Sequence, residues 1–386
     1  MYSGGLDSTL AGIILRLQGI DVIAINCFTG FCLTDHKRKM GQQRKDGSRY
    51  QNEAIVGAAG LQIPVEVVDV REGYLKVLTE PKHGWGSSVN PCIDCRIHML
   101  GYANRELMEE YQAHFIATGE LLGQRPMTQM RRQMKLIEKE SGLEGMVVRP
   151  LCQQKLEESI PERRGWVDRE LLLDIHGRGR RTQIELAEKF GVLDYPQPAG
   201  GCCFLTDGSY GNRLKDSIEF QGNEDLDFDD VLVLKVGRHF RLPDGNKLIV
   251  GRNHEENELL KSYWHMGTFM RVSAHPGPLS LYLGNQESSD LELALRITAR
   301  YSDCPTTEST ELQLLDQDEV KDRRSALETI EGVRRIVPLA RAHSVAVRPW
   351  IQSFPYRIPD FDQAYVAEQM QGAADAGANG YMLWHP

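Results

Sequence analysis

Serine, aspartate and glycine residues occur near the start of this sequence in an order that suits phosphate binding. The hexapeptide Ser3-Gly-Gly-Leu-Asp-Ser8 leads directly into a helical pattern from Thr9 to Leu17. A glycine-rich turn that opens a helix directs backbone N–H groups and the positive end of the helix dipole at one place, where a phosphate fits. For a lone glycine pair, a capped turn without a ligand is the better interpretation, and the full hexapeptide changes that balance.

Cysteines supply a second group of candidates. Cys92 and Cys95 form a C-x-x-C pair before a predicted helix, and Cys202 and Cys203 follow much later. Such thiolates can bind zinc, hold an iron–sulfur cluster or carry persulfide sulfur. The eight cysteines are too sparse and uneven for a secreted disulfide framework. We interpret the other four as small buried hydrophobic residues: Cys27, Cys32, Cys152 and Cys304.

Composition limits the class of protein. A chain of 386 residues predicts two or three domains, and 41% hydrophobic with 26% charged residues is an ordinary globular balance. No apolar run has the length of a membrane span, and no export signal is recognisable, so we expect a cytoplasmic protein. The net charge of −9 argues against a general nucleic-acid coat but allows a local basic surface.

Hydrophobic patterning predicts the elements that position these residues. Short β-branched runs at 21–26, 65–69 and 114–118 alternate with helical stretches, which is typical of an α/β fold with a doubly wound parallel sheet. Residues 216–230 are acidic and predict a linker. Runs at 231–235 and 247–250 around a turn at 243–246 predict a hairpin that opens a smaller α+β domain.

Three regions follow from this pattern: 1–215, 228–305 and 330–386. Residues 306–324 are polar and loop-like. The last region combines strands at 344–350 and 380–384 with a helix at 364–376, a short βαβ-like unit.

The first motif resembles the pyrophosphate loop of the PP-loop ATP pyrophosphatases (adenine nucleotide alpha hydrolase-like), which adenylate a substrate and release pyrophosphate. The resemblance implies that Ser3, Gly4, Gly5 and Ser8 hold the pyrophosphate and that Asp7 helps to place Mg²⁺. In that family a buried first strand precedes the loop, whereas only two residues precede Ser3 here. We interpret the true start as lying upstream; the alternative is an unpaired sheet that binds ATP poorly.

Several further motifs resemble bacterial tRNA thiouridylase-like proteins, similar to the 2-thiouridine and 4-thiouridine synthetases. They lie at 90–95, 118–120, 123–126 and 198–202, and the similarity runs from residue 3 to about 214. The resemblance implies a [4Fe–4S] cluster on Cys92, Cys95 and Cys202, whose open iron binds sulfide. A catalytic persulfide on the same thiols is the alternative, and the role of Cys203 stays open.

The Thr118-Gly-Glu120 motif follows a predicted strand at its carboxyl end, where open α/β sheets place their ligands. Gly119 would let the backbone approach adenine or ribose, and Gln124 and Arg125 would reach the phosphate or the uridine. Glu120 either serves this site or favours the next helix.

Arginines against the acidic background predict an RNA surface, because guanidinium groups in exposed turns suit phosphates. They form two groups within the first region: Arg125, Arg131 and Arg132, then Arg178, Arg180 and Arg181. Residues 235–241 and 251–257 resemble the NFACT-type RNA-binding domain. That resemblance implies four contact residues: Arg238, His239, Arg252 and Asn257.

The tail resembles the closing strands of a glycosidase-like TIM barrel, yet one βαβ unit cannot close a barrel, so we infer no carbohydrate chemistry. A fused reading frame and a docking appendage both explain it.

Together the motifs predict an ATP- and Mg²⁺-dependent tRNA sulfur-transferase with catalytic residues Asp7, Cys92, Cys95 and Cys202. Its partners would be tRNA and a sulfur donor, either free sulfide or a carrier protein, with a homodimer left open. The alternatives are an amidotransferase-like PP-loop enzyme with a structural metal and a non-catalytic RNA-binding protein.

Overall fold

The computed structural model describes residues 1–44, 47–192, 195, 203–305, 311–315, 350–352 and 382–384. Within them, helices and parallel strands alternate up to about residue 190, and an antiparallel sheet follows. The α/β character predicted for the first region is confirmed.

The first region combines ten α-helices with four strands in its described part. Its helices are α1 (Leu6–Leu17), α2 (Leu33–Lys39), α3 (Glu53–Leu61), α4 (Tyr74–Thr79), α5 (Cys92–Tyr102), α6 (Met108–Glu110), α7 (Arg131–Glu140), α8 (Ile160–Arg163), α9 (Arg181–Lys189) and α10 (Gly208–Gln221). Its strands are β1 (Ala24–Phe28), β2 (Val65–Asp69), β3 (Ile116–Ala117) and β4 (Val147–Val148). Strand β1 pairs in parallel with β2, and β3 pairs in parallel with β4.

Helix α1 is anchored by one apolar face. Leu6, Leu10 and Ile14 recur every four residues and are buried, as expected for a helix that covers a sheet. They share a core with Leu121 and Val148. This packing fixes the amino end of α1, and hence the glycine turn before it, against the strands.

Met1 and Tyr2 lie between the two strand pairs. The Tyr2 N–H donates to the Ile25 carbonyl of β1 at 2.7 Å, and the Met1 ammonium donates to the Ala117 carbonyl of β3 at 2.8 Å. Burial lowers the pKa of that ammonium to about 6. A cavity of about 470 Å³ adjoins them, bordered by the residues before β1 and before β3.

The second region is a five-stranded antiparallel sheet in the order β5-β6-β8-β7-β9. Its strands are β5 (Arg238–Arg241), β6 (Lys247–Val250), β7 (Thr268–Val272), β8 (Ser280–Leu283) and β9 (Leu312–Leu315). Its helices are α11 (Phe228–Val233), α12 (His254–Leu260) and α13 (Asp290–Arg300). Asp216 on α10 forms ion pairs with Arg241 at 2.6 Å and Lys247 at 3.2 Å, which tie this sheet to the first region.

Two expectations for this stretch are wrong. Residues 216–230 are not a linker, because α10 runs to Gln221 and α11 begins at Phe228 with an Asp227–Asp230 capping box. The apolar residues of 231–235 belong to α11 and the turn after it, with Val231 and Val233 buried, so the hairpin consists of β5 and β6. The turn between them lies where it was predicted, closed by Leu242 N–H donating to the Asn246 carbonyl at 2.9 Å.

Residues 306–324 were predicted to be a loop, yet β9 lies within them and pairs with β7. In the tail, β10 (Trp350–Gln352) and β11 (Met382–Trp384) pair in parallel, as a βαβ unit requires. The helix predicted at 364–376 lies outside the described residues. Across the described part of the chain, no helix is long and apolar enough to span a membrane.

The cavity beside Met1 suggests that an apolar extension of the chain before Met1 would stabilise the fold. Five alternating valine and isoleucine residues added before Met1 should continue the contacts of Met1 and Tyr2 between β1 and β3. Each buried side chain contributes about 1.5–3 kcal/mol, less the cost of ordering the chain. We therefore expect the free energy of unfolding in urea to rise by at least about 2 kcal/mol. An aspartate–glycine extension of equal length is the control, and an equal rise with both would contradict this account.

Candidate functional site

The glycine turn presents the amino end of α1. Gly4 has a φ of 74°, which favours glycine, and no side chain caps the helix at Gly5. Ser3 and Ser8 brace the turn through hydroxyls 3.2 Å apart, and the Ser8 hydroxyl donates to the Gly5 carbonyl at 2.9 Å. The first-turn N–H groups of a helix without a side-chain cap can receive a phosphate.

Asp7 lies in this first turn. One carboxylate oxygen accepts a hydrogen bond from the Gln124 amide at 3.0 Å. The other oxygen, Oδ1, is buried and has no hydrogen-bond partner among the described residues. An orphaned carboxylate oxygen beside a phosphate-binding turn fits a magnesium ligand, because Mg²⁺ binds carboxylates together with substrate phosphates.

Gly119 presses against the same turn. A Cβ on Gly119 would lie 2.5 Å from the backbone nitrogen of Ser8, closer than any side chain can come. The turn after β3 therefore approaches the start of α1 only because residue 119 has no side chain. The predicted ATP residues Ser3, Gly4, Gly5, Asp7, Ser8, Gly119 and Gln124 all lie in this one place.

Glu120 is the centre of a buried ion network. Its carboxylate contacts Arg96 Nε on α5 at 3.1 Å and Arg149 Nε after β4 at 3.2 Å, and Arg149 also pairs with Glu138 on α7. Burial alone would raise the pKa of Glu120, but the two guanidinium groups outweigh burial and hold it below the ordinary value. Glu120 is thus a buried acid whose carboxylate joins α5 to the segment after β4.

The cysteine pair opens helix α5. Cys92 and Cys95 are half-buried and one turn apart, so they share a face of the helix. Asn90 donates to the Cys92 sulfur at 3.2 Å, and the Tyr74 hydroxyl donates to the Cys95 sulfur at 3.2 Å. Cys202 lies outside the described residues.

A third thiol lies on the same core as Cys95. Cys203 packs, like Cys95, against a cluster that includes the buried Phe31 and Tyr74. Within the described residues, no group of three metal-ligating side chains is assembled. Of the three predicted iron–sulfur ligands, Cys92 and Cys95 therefore lie within the described residues, whereas Cys202 lies outside them.

One loop contacts both halves of the site. The 121–129 loop places Gln124 on Asp7, and at its other end the Met127 sulfur accepts a hydrogen bond from the Asn90 amide at 3.5 Å. The same Asn90 amide contacts Cys92. The glycine turn and helix α5, which carries Cys92 and Cys95, are therefore neighbours, linked by the loop that carries Arg125.

The two arginine groups of the first region also meet. The Gly177 N–H donates to the Leu122 carbonyl at 2.7 Å, which holds the second arginine loop against the first. Most of these side chains are exposed and Arg180 is half-exposed: Arg125, Arg131, Arg132, Arg178, Arg180 and Arg181. Arg181 pairs with Glu185 at 2.9 Å, so part of the charge is locally offset.

The four residues of the second region that were predicted to contact RNA differ in their exposure. Arg238 and Arg252 are exposed, although Arg252 pairs with Glu256. Burial lowers the pKa of His239 to about 3, and its ring faces the Val236 carbonyl at 2.8 Å, so it is a neutral, inward-facing residue. Asn257 accepts a hydrogen bond from the Leu279 N–H at 3.1 Å and has a structural role.

Sequence reasoning did not single out three residues that lie beside predicted ones in the structure: Arg96, Arg149 and Cys32. The two arginines carry no motif, and only their shared partner Glu120 reveals them. Cys32 was interpreted as buried but is exposed, whereas Cys152 is buried as expected and Cys27 and Cys304 are half-buried.

Comparison with known proteins identifies three segments of the chain that are similar to known domains. Residues 1–141 match the model of the tRNA methyl transferase HUP domain, and residues 237–332 match that of the NFACT protein RNA binding domain. Residues 322–386 match a model described as "Putative glycosyl hydrolase domain". A segment similar to the HUP domain thus precedes a segment similar to the NFACT RNA binding domain, and the resemblances stated from the motifs are confirmed.

The similar whole proteins are more specific. The chain is 25% identical over 251 residues to a tRNA-specific 2-thiouridylase MnmA of Dehalococcoides mccartyi, covering 62% of each chain. It is 25% identical over 248 residues to the protein of that name from Syntrophomonas wolfei, covering 63% of this chain and 64% of the other. A protein of Thermococcus kodakarensis named "Probable tRNA sulfurtransferase" is 28% identical over 160 residues, covering 42% and 38%. The chain thus spans less than two thirds of the length of these relatives.

Removing the negative charge of Glu120 should destabilise the protein. In Glu120→Gln, Arg96 and Arg149 each lose an ion pair with the buried carboxylate, and breaking a buried ion pair costs about 3 kcal/mol or more. Urea unfolding at neutral pH measures the loss. The control is Glu157→Gln, whose exposed pair with Lys135 should matter little. Equal stability of both variants would show that the buried network is not a stabilising feature.

Crowding the turn at Gly119 should weaken ATP binding. In Gly119→Val the new side chain must push the turn away from Ser8, so we expect at least about tenfold weaker binding, roughly 1.4 kcal/mol. Calorimetric titration with a non-hydrolysable ATP analogue measures this. Gly60→Ala is the matched control, because a Cβ there has open space. Unchanged affinity in Gly119→Val would remove this turn from the ATP site.

Proposed function

We propose that this protein is an ATP-dependent tRNA sulfur-transferase that converts a uridine into thiouridine. One observation carries the proposal: the 121–129 loop contacts Asp7 at one end and the Asn90–Cys92 pair at the other. A site that activates with ATP and then delivers sulfur requires those two groups side by side.

The glycine turn at Ser3–Ser8, here called the nucleotide turn, would perform the first step. The uridine carbonyl oxygen attacks the α-phosphate of ATP, an O–P bond forms, and pyrophosphate leaves. The α1 N–H groups and the Ser3 and Ser8 hydroxyls would hold the phosphates, since preorganised donors stabilise charge that develops there. Mg²⁺, when bound at Asp7, would neutralise phosphate charge.

The cysteines would serve the second step. A sulfur nucleophile attacks the activated carbon, the carbon–oxygen bond to the adenylate breaks, and AMP leaves with the former carbonyl oxygen. We propose that Cys92 and Cys95 present this sulfur with Cys202. A [4Fe–4S] cluster on these three residues would supply an open iron for sulfide, and a persulfide on one of them is the alternative.

RNA would bind across the two arginine loops and the second region. The loops meet through Gly177 and Leu122, and the first of them carries the Gln124–Asp7 contact, so phosphate contacts would lie beside the reacting base. Arg238 and Arg252 would extend this surface. Such binding should weaken with salt, because each contact releases counterions from the RNA.

We further propose the architecture around this site. The contacts of Met1 with β3 and of Tyr2 with β1 support one doubly wound parallel sheet in which that dipeptide separates the strand pairs. The proposed domains are residues 1–215 for thiolation, 228–305 for RNA binding and 330–386 as the tail. A cytoplasmic site of action suits a tRNA substrate, and a sulfur donor and a homodimer remain part of the proposal.

The test compares three proteins, purified without oxygen and incubated with tRNA, ATP, Mg²⁺ and sulfide. The wild type should form thiouridine and release pyrophosphate, as measured by mass spectrometry of tRNA nucleosides. Cys92→Ser should lose thiouridine at least about a hundredfold while its affinity for ATP stays nearly unchanged, because Cys92 would act only in the second step. Cys27→Ser, a half-buried thiol on β1, is the matched control and should retain activity.

Metal analysis of the same samples separates the alternatives. Iron with acid-labile sulfide, lost in Cys92→Ser, supports the cluster. Thiouridine formation by metal-free protein only when a persulfide donor replaces sulfide, with a disulfide left between two of the cysteines after one turnover, supports the persulfide. Zinc alone with pyrophosphate release but no thiouridine favours the amidotransferase-like enzyme. Binding of tRNA without pyrophosphate release favours a non-catalytic RNA-binding protein, and either of these last results overturns the proposal.

A further inference from the structure

Cys32 and Cys203 face each other across a short antiparallel ladder. The two residues form an isolated antiparallel bridge, although 170 positions lie between them in the sequence. The Phe204 N–H donates to the Phe31 carbonyl at 3.0 Å. This bond joins the residue before Cys32 to the residue after Cys203, which makes the two cysteines a non-hydrogen-bonded pair.

The geometry of such a pair suits a disulfide. Directly opposed residues of this kind have Cα atoms about 4.5 Å apart and side chains on the same face. Disulfides span Cα distances of about 4.4–6.8 Å. A bond between these sulfurs would therefore need little movement of the backbone, and both residues carry thiols in the structure.

The surroundings give the two thiols different access. Cys32 is exposed, whereas Cys203 is half-buried against the Phe31 and Tyr74 core. The Lys235 ammonium donates to the Gly30 carbonyl at 2.8 Å and lies 5.7 Å from the centre of the Phe31 ring. The Lys235 side chain thus lies beside the residues that precede Cys32.

We propose that Cys32 and Cys203 are a redox-active pair that closes a reversible disulfide across this ladder. Neither thiol belongs to the proposed set of Cys92, Cys95 and Cys202. The consequence for activity rests on the proposed function. Because Cys203 directly follows Cys202, the disulfide would constrain the backbone next to Cys202, one of the proposed sulfur-presenting residues, and would stop thiolation.

The reaction balances with a small disulfide as oxidant. The exposed Cys32 thiolate attacks glutathione disulfide, its sulfur–sulfur bond breaks, and one glutathione leaves. The Cys203 thiolate then attacks the Cys32 sulfur and displaces the second glutathione. Two protons pass from the cysteines to the departing thiolates, and two cysteine thiols are oxidised while one disulfide is reduced to two glutathiones.

Disulfide mapping tests the pair independently of activity. The folded full-length protein is equilibrated with glutathione disulfide, blocked with N-ethylmaleimide and digested for mass spectrometry. The wild type should contain a linkage between the Cys32 peptide and the Cys202–Cys203 peptide, with two fewer blocked thiols. Cys202→Ser should keep this linkage and Cys203→Ser should lose it. Cys304→Ser, a half-buried thiol outside the ladder, is the matched control and should keep it.

The Cys32→Ser variant tests the order of the steps and the consequence. It should lack the linkage, and its thiouridine formation should survive oxidation that lowers wild-type activity at least about tenfold, with recovery of the wild type in dithiothreitol. A linkage that persists in Cys203→Ser, that joins Cys203 to Cys92 or Cys95, or that never forms overturns the pair. A mapped linkage in protein that forms no thiouridine even when reduced leaves the pair standing and rejects the proposed function.

Discussion

The buried contact between Arg96 and Glu120 connects the two halves of the site. Arg96 directly follows Cys95 on α5, and Glu120 directly follows the glycine that packs on the nucleotide turn. Ions removed from water are costly unless they are paired, so this contact constrains how α5 can lie relative to β3. Arg149 completes the constraint from the third side, because it pairs with the same carboxylate from the segment after β4.

A glycine and a closed loop position the rest of the site. Gly119 permits the close approach of the turn after β3 to Ser8. The 121–129 loop is closed by the Gly123 N–H, which donates to the Gln129 carbonyl at 2.7 Å. Such a closed loop holds Gln124 and Met127 at fixed separation, so the carboxylate of Asp7 and the amide of Asn90 are contacted together. The proposed two-step reaction at one base would depend on such a placement.

Ion pairs and shared apolar cores join the antiparallel sheet to the first region. Asp216 on α10 accepts from Arg241 and Lys247, and the buried faces of α11 contribute to cores on both sides. Burial lowers the pKa of Lys247 to about 8, and pairing with Asp216 opposes that effect. An RNA-binding surface held this way would keep a constant distance from the nucleotide turn.

Local sequence determined the elements whose signal is local: the Ser3–Ser8 turn, helix α1, strand β2, the C-x-x-C helix and the turn before β6. Their glycines, caps and periodicity act within a few residues, so neighbours in sequence suffice to predict them. The proximity of Asp7 to Gln124, the pairing of Glu120 with two arginines and the facing of Cys32 and Cys203 were decided only by the tertiary structure. Each joins distant segments, and the choice of partner depends on which charges and strand edges the packed core leaves side by side. The same reason explains why residues 216–230 were wrongly predicted to be a linker. An acidic residue such as Asp216 suggests exposure to solvent, and the sequence around it does not reveal its ion pairs with Arg241 and Lys247 of the antiparallel sheet.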